Sequence, residues 1–94
     1  MLASVSKLVE HVLTGNRTPK RIGNHWCERR APNYWQFFYH ETCVCAADTQ
    51  YMTVMFTNGG WNTSSTTRTV NSYRDAFVGF HELPVEEFLR SVSR

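Results

Sequence analysis

Val5, Leu8, Val9, Val12 and Leu13 recur at the i, i+3, i+4, i+7, i+8 spacing of an amphipathic helix. Ser4 is placed to cap its start, and Gly15 follows its end, where a left-handed residue is needed. Residues 16–33 are polar and basic, punctuated by Pro19, Gly23 and Pro32. Within them His25 to Arg29 reads as a short strand with Trp26 as a buried anchor.

Period-two patterning follows. Tyr34 to His40 is an aromatic run and Thr42 to Ala47 is small and β-branched, so both read as strands or as one long bent strand. Asp48-Thr49-Gln50 makes the turn. Tyr51 to Thr57 then alternates, with Met52, Val54 and Phe56 on one side and Tyr51, Thr53, Met55 and Thr57 on the other. An antiparallel hairpin is the economical arrangement. Asn58-Gly59-Gly60 breaks the strand, because glycine reaches positive φ without steric cost. The hydroxyl run Thr63 to Thr67 is poor helix interior and good capping material. A helix from about Thr66 to Phe77 would bury Val70, Tyr73 and Phe77. A last helix starts at Pro84, with Glu86 and Glu87 in its first turn and Arg90 and Arg94 near its end, both favourable to its dipole. Its apolar stripe is Val85, Phe88, Leu89 and Val92.

These elements predict an α+β fold in a single domain, residues 1–94. A small antiparallel sheet, about residues 25–58, carries the N-terminal helix and two C-terminal helices on one face. The expected core is Val5, Leu8, Val9, Val12, Met52, Val54, Phe56, Val70, Tyr73, Phe77, Phe88 and Leu89. Trp61 is expected to pack over the sheet end.

Composition narrows the picture. The 94 residues are 41% hydrophobic and 14% aromatic, which excludes a disordered chain. No apolar stretch approaches the roughly 20 residues of a membrane span, so no membrane partner is expected. Met1 to Gly15 does not read as a signal peptide, since Lys7, Glu10 and His11 interrupt its apolar pattern; an intracellular protein is expected. Three cysteines, Cys27, Cys43 and Cys45, are an odd count that argues against a disulfide framework and for free thiols. The formal charge is only +2, but Arg17, Lys20, Arg21, Arg29 and Arg30 are five of the ten basic residues, opposed in that stretch by Glu28 alone. Acidic residues return as Glu82, Glu86 and Glu87.

Two segments are unusual in order and spacing: His40-Glu41-Thr42-Cys43-Val44, and Asn58-Gly59-Gly60-Trp61-Asn62-Thr63-Ser64-Ser65-Thr66-Thr67, followed by Asn71. From about Phe38 to Ala76 the chain resembles a group of small tailed-bacteriophage proteins. That group shares an H-x-T-x-V strand, a strand ending in N-G-G-W, then T-x-T-T and a helix containing Asn. Here a serine pair precedes Thr66-Thr67, and Arg68-Thr69 stands where the group shows a charged pair. The resemblance carries no activity. It implies a phage or prophage gene acting in a bacterial host cytoplasm. Short phage proteins without enzyme motifs often bind and block a host protein, including CRISPR complexes and transcription machinery.

Four chemistries are open to these side chains. His25-x-Cys27 and His40-x-x-Cys43-x-Cys45 supply zinc-type donors. Cys43 and Cys45 would stand roughly 6.5–7 Å apart on one strand face, long for ligands of one ion. Buried thiols are the better account, and no cofactor is expected. His11, His25, His40, His81, Asp48 and Asp75 are scattered, and no G-x-S-x-G elbow, P-loop or H-E-x-x-H occurs. No catalytic residues are assigned and no enzyme is expected. For nucleic acid, Arg17, Lys20, Arg21, Arg29 and Arg30 could meet phosphates. Trp26, Tyr34, Trp35 and Tyr39 could stack bases, and Ser64 to Arg68 could seat a phosphate. For a protein partner, Tyr34 to Tyr39 carries aromatics on both faces of its strand, so one face needs a partner, a second subunit or a covering loop.

The leading expectation is a non-enzymatic phage accessory protein that binds and inhibits a bacterial host protein or ribonucleoprotein complex, with an anti-CRISPR-like defence target. The alternative is a DNA- or RNA-binding accessory protein using the basic-aromatic segment 17–39. A homodimer is compatible with either. The candidate contact set is Arg17, Lys20, Arg21, Trp26, Arg29, Arg30, Tyr34, Trp35, Tyr39 and Arg68.

Overall fold

The computed structural model describes residues 2–93. Helix α1, Ala3–Leu13, buries Val5, Leu8, Val9 and Val12, the stripe that the spacing predicts. The N-cap position falls on Leu2 rather than Ser4, with no side-chain cap bond. The Leu2 N–H instead donates to Ser72 Oγ of the later helix at 3.1 Å. Gly15, at φ +91°, turns the chain out of the helix.

Five antiparallel strands then run in sequence order: β1 Lys20–Ile22, β2 His25–Ala31, β3 Tyr34–Tyr39, β4 Thr42–Asp48 and β5 Thr53–Phe56. The sheet therefore begins earlier than residue 25, at an edge strand formed by the basic segment. Tyr34 to Ala47 is a hairpin rather than one bent strand. It turns at His40 and Glu41, with His40 in the left-handed region at φ +54°. Asp48 closes the next turn, its carboxylate accepting from the Gln50 N–H (2.9 Å) and the Tyr51 N–H (3.2 Å).

Helix α2, Ser64–Ala76, is followed by β6, His81–Glu82, and α3, Val85–Val92. Strand β6 adds parallel to β5, so the sheet has six strands and is mixed. Thr63 caps α2, its Oγ1 accepting from the Thr66 N–H at 3.3 Å, which starts the helix two residues before the expected Thr66.

The α+β class is as expected, but the helices divide between the faces. Against one face, α1 and α2 bury Cys27, Trp35, Phe37, Cys45, Ala47 and Val54 together with Val70, Tyr73 and Phe77. Against the other, α3 seats Phe88 on Ala46 and Met55, joined by Tyr34, Leu83, Val85 and Val92. The physical reason is β4. Val44, Cys45, Ala46 and Ala47 are all fully buried, so this strand needs cover on both sides.

Two expected core residues lie outside. Met52 is 50% exposed because it occupies a turn at φ +54°, and β5 starts one residue later. Leu89 is 41% exposed because only the Phe88 side of α3 meets the sheet. Phe56 is half-buried, under the Arg74 guanidinium at 4.7 Å from its ring centroid. Trp61 does not pack over the sheet end: it is 60% exposed. Trp26 is no buried anchor either; it is half-buried and faces away from α1.

The buried thiols give the fold a pH dependence. Burial pushes Cys27 up to about 11 from an ordinary 9.0, and also holds Cys45 well above that ordinary value. The folded state thus holds protons that the unfolded chain releases. This contribution is complete below pH 9 and is lost as pH rises toward 11. For Cys27 the loss is at most about 1.4 kcal/mol per pH unit in that window. Urea midpoints measured from pH 8 upward should fall steeply above 9, and Cys27→Ala should flatten that fall.

Candidate protein-binding face

Strand parity decides where each candidate residue points. In an antiparallel pair, directly opposed residues share a face. Trp35 pairs with Arg29, and Phe37 with Cys27, so these look toward α1 and α2. Arg21 pairs with Trp26, Trp26 with Phe38, and Glu28 with Gln36, so these share the opposite face with Tyr34. On that face α3 packs at the β4–β5 side, where Phe88 meets Ala46 and Met55, and its Phe88 ring reaches Tyr34 edge-on at 5.8 Å. Among the described residues, the helix on this face, α3, packs mainly on β5, at the far side of the sheet from β1.

Those side chains form two rows. In the first, the Arg21 guanidinium lies 5.5 Å from the Trp26 ring centroid, and Trp26 stacks on Phe38 at 3.9 Å and 6°. The Trp26 indole N–H donates to the His40 carbonyl at 2.6 Å, which fixes the ring against the β3–β4 turn. In the second row, Arg30 pairs with Glu28 at 3.1 Å and its Nε donates to Gln36 Oε1 at 2.6 Å. The Gln36 amide donates in turn to Tyr34 Oη at 3.0 Å. Arg30 and Glu28 side chains are 53% and 32% exposed, so this network contributes about 0–1 kcal/mol to stability and leaves its polar atoms open to a partner. Cys43 sits half-buried beside these charges, its thiol held above the ordinary range mainly by burial.

The predicted contact set is therefore split. Arg21, Trp26, Arg30 and Tyr34 come together on the open face. Trp35 leaves the set: it is 3% exposed, in the core against α1, with its ring 6.2 Å from that of His11. Lys20 and Arg29 face the helix side of the sheet. Arg17 lies in the connector before β1, and Arg68 lies on α2 near Ser64 and Asp75. Tyr39 is half-buried between the rings of His25 (4.9 Å) and His40 (4.4 Å). Burial, with His40 nearby, holds the His25 imidazole below its ordinary value. Phe38, Glu28 and Gln36 belong to the open face and were missed. Period-two spacing from Tyr34 and Trp26 would have found them.

The five basic residues between 17 and 30 thus make no single phosphate-binding surface. Among the described residues, no three His, Cys, Asp or Glu side chains gather as a metal ion requires. Cys27 and Cys45 face α1 and α2, whereas Cys43 lies on the α3 side. No helix of the described residues is long and apolar enough to cross a membrane. No protein-family model, curated protein or solved structure matches the chain.

Proposed function

We propose that this chain is a non-enzymatic binding protein of phage or prophage origin. It docks on a protein of the bacterial host cytoplasm through the open face of β1–β3 and inhibits it. A defence complex, as for anti-CRISPR proteins, is the target class. The observation that carries the reading is the composition and order of that face. It offers aromatic rings and arginines, the residue types enriched at the energetic centres of protein interfaces, with the Gln36 amide beside them.

Its geometry favours a protein over nucleic acid. Both faces of the Trp26 ring are occupied, one by Phe38 and the other by Arg21, so the indole offers no platform for a base. Glu28 stands among the arginines and offsets part of their charge, where a phosphate-binding groove would have cations alone. The test is capture from bacterial lysate on the immobilised chain. A stoichiometric host protein that survives nuclease supports the reading. Recovery of nucleic acid alone, with affinity falling steeply in salt, would replace it with the nucleic-acid alternative. Self-association of the chain through this face would replace it with a homodimer.

A further inference from the structure

The docking face does not use the two segments that the sequence sets apart, yet these meet in space. The Thr57 N–H donates to the Val44 carbonyl at 3.0 Å. Gly59, at φ +63°, lies so close to Thr42 that a Cβ on it would stand 2.2 Å from Thr42 Cγ2. Asn58 then shapes the turn, its Oδ1 accepting from the Gly60 N–H (2.9 Å) and its carbonyl from the Trp61 N–H (3.0 Å). Between this turn, the His40-Glu41 turn and the first turn of α2 lies a half-open cavity of about 390 Å³. Its walls are mainly apolar, and Tyr39, His40, Thr42 and Trp61 are among the residues that line it, with the fully buried Val44 behind them. That volume falls in the range of sites that enclose a ligand group.

We propose that this cavity anchors an uncharged aromatic side chain of the protein partner, an inference that rests on the docking reading above. Two observations select that occupant. Among the described residues, no lysine or arginine lines the cavity and Glu41 does, so a phosphate or carboxylate finds no counter-charge there. The first turn of α2 presents the positive end of its dipole there, which opposes a cation. An uncharged ring matches what remains, and aromatic anchors filling pockets are the usual energetic centre of an interface. The cavity lies on the α2 side of the sheet and meets the docking face at the β3–β4 turn, since His40, one of its lining residues, is the residue whose carbonyl holds the Trp26 indole. A partner seated on Trp26 and Phe38 reaches the cavity around the β3–β4 turn. Trp61, 60% exposed on the rim, is placed to close over the inserted ring.

The test uses the folded chain and defined probes. N-acetyl-tryptophanamide, N-acetyl-tyrosinamide, adenosine monophosphate and N-acetyl-lysinamide are titrated while amide and indole NMR shifts are followed. The aromatic amides should shift His40, Thr42, Ser65 and the Trp61 indole, and the other two probes should not. Trp61→Ala should abolish those shifts and weaken host-protein capture by roughly tenfold or more. Its melting temperature should move little, since the ring is exposed. Equal response to adenosine monophosphate, no response to the aromatic amides, or undiminished capture by Trp61→Ala would each overturn the assignment. Arg30→Ala, whose partners Glu28 and Gln36 lie away from the cavity, separates the two readings: it should weaken capture and keep the aromatic-amide shifts. If the wild-type chain captured no protein while those shifts were intact, the docking reading would be the one that failed.

Discussion

Replacing Phe37 by alanine is expected to cost about 3–5 kcal/mol of folding stability. Phe37 is fully buried in the middle of β3. Its ring meets Tyr73 at 5.1 Å and Phe77 at 5.6 Å, so it couples the sheet to α2. On the strand side it stands between Cys27 and Cys45, its partners in the ladder. The small neighbours Cys45 and Ala47 cannot expand to fill the cavity that alanine would leave. Domains of this size have roughly 5–15 kcal/mol in total, and each kcal/mol corresponds to roughly 4–8 °C in melting temperature. Urea unfolding followed by tryptophan fluorescence measures the loss directly. A change below about 1 kcal/mol would mean that β3 and α2 are not packed in this way.

The second large effect concerns binding. Trp26→Ala is expected to weaken partner capture by roughly 30-fold or more, the loss of about 2 kcal/mol that marks an interface centre. The indole holds the first row together, stacked on Phe38 and covered by Arg21. Its removal frees both neighbours from their geometry. Arg21→Ala should weaken capture less, and Lys20→Ala hardly at all, although the two residues are adjacent. Strand parity puts Arg21 on the open face and Lys20 on the other. Titration of each variant against the captured protein by calorimetry distinguishes this order. Equal losses for Arg21→Ala and Lys20→Ala would indicate that loose charge, rather than the built face, drives binding.

The Asn58-Gly59-Gly60 turn carries a further expected result. Gly59→Ala places a methyl group against Thr42 at a backbone angle that L residues rarely adopt, so Thr42 or the turn must move. The variant should unfold at lower urea than wild type, whereas Gly23→Ala, which meets nothing within 4 Å, should bear only the cost of its φ of +63°.

Local patterning carried much of the fold. The spacing of Val5 to Val12 gave α1 its buried stripe, and Val70, Tyr73 and Phe77 gave α2 its own. Residues whose place depends on a turn were less legible. Met52 fits the alternation with Val54 and Phe56, but a left-handed backbone at Met52 takes it out of the strand. The side taken by α3 was also hidden. Two adjacent alanines in β4 do not announce that both of its faces are covered, and only tertiary packing assigns Phe88 to Ala46 and Met55. The contact face suffered most. A basic stretch reads as one patch along the chain, yet pleating sends Arg21 one way and Lys20 the other. The same pleating sends Trp35 into the core and leaves Phe38 outside with Trp26. Trp61 shows the converse: a tryptophan beside two glycines suggests a packed corner, and it stands at the rim of a cavity.

The most direct test of the docking account compares wild type with Phe38→Glu in capture from nuclease-treated bacterial lysate. Phe38 is half-buried on the open face, so the charged residue can remain in solvent while it breaks the aromatic row. A stoichiometric host protein should be retained by wild type and lost by Phe38→Glu, with both chains folded by circular dichroism. Undiminished capture by folded Phe38→Glu would contradict it and place the binding surface elsewhere on the molecule.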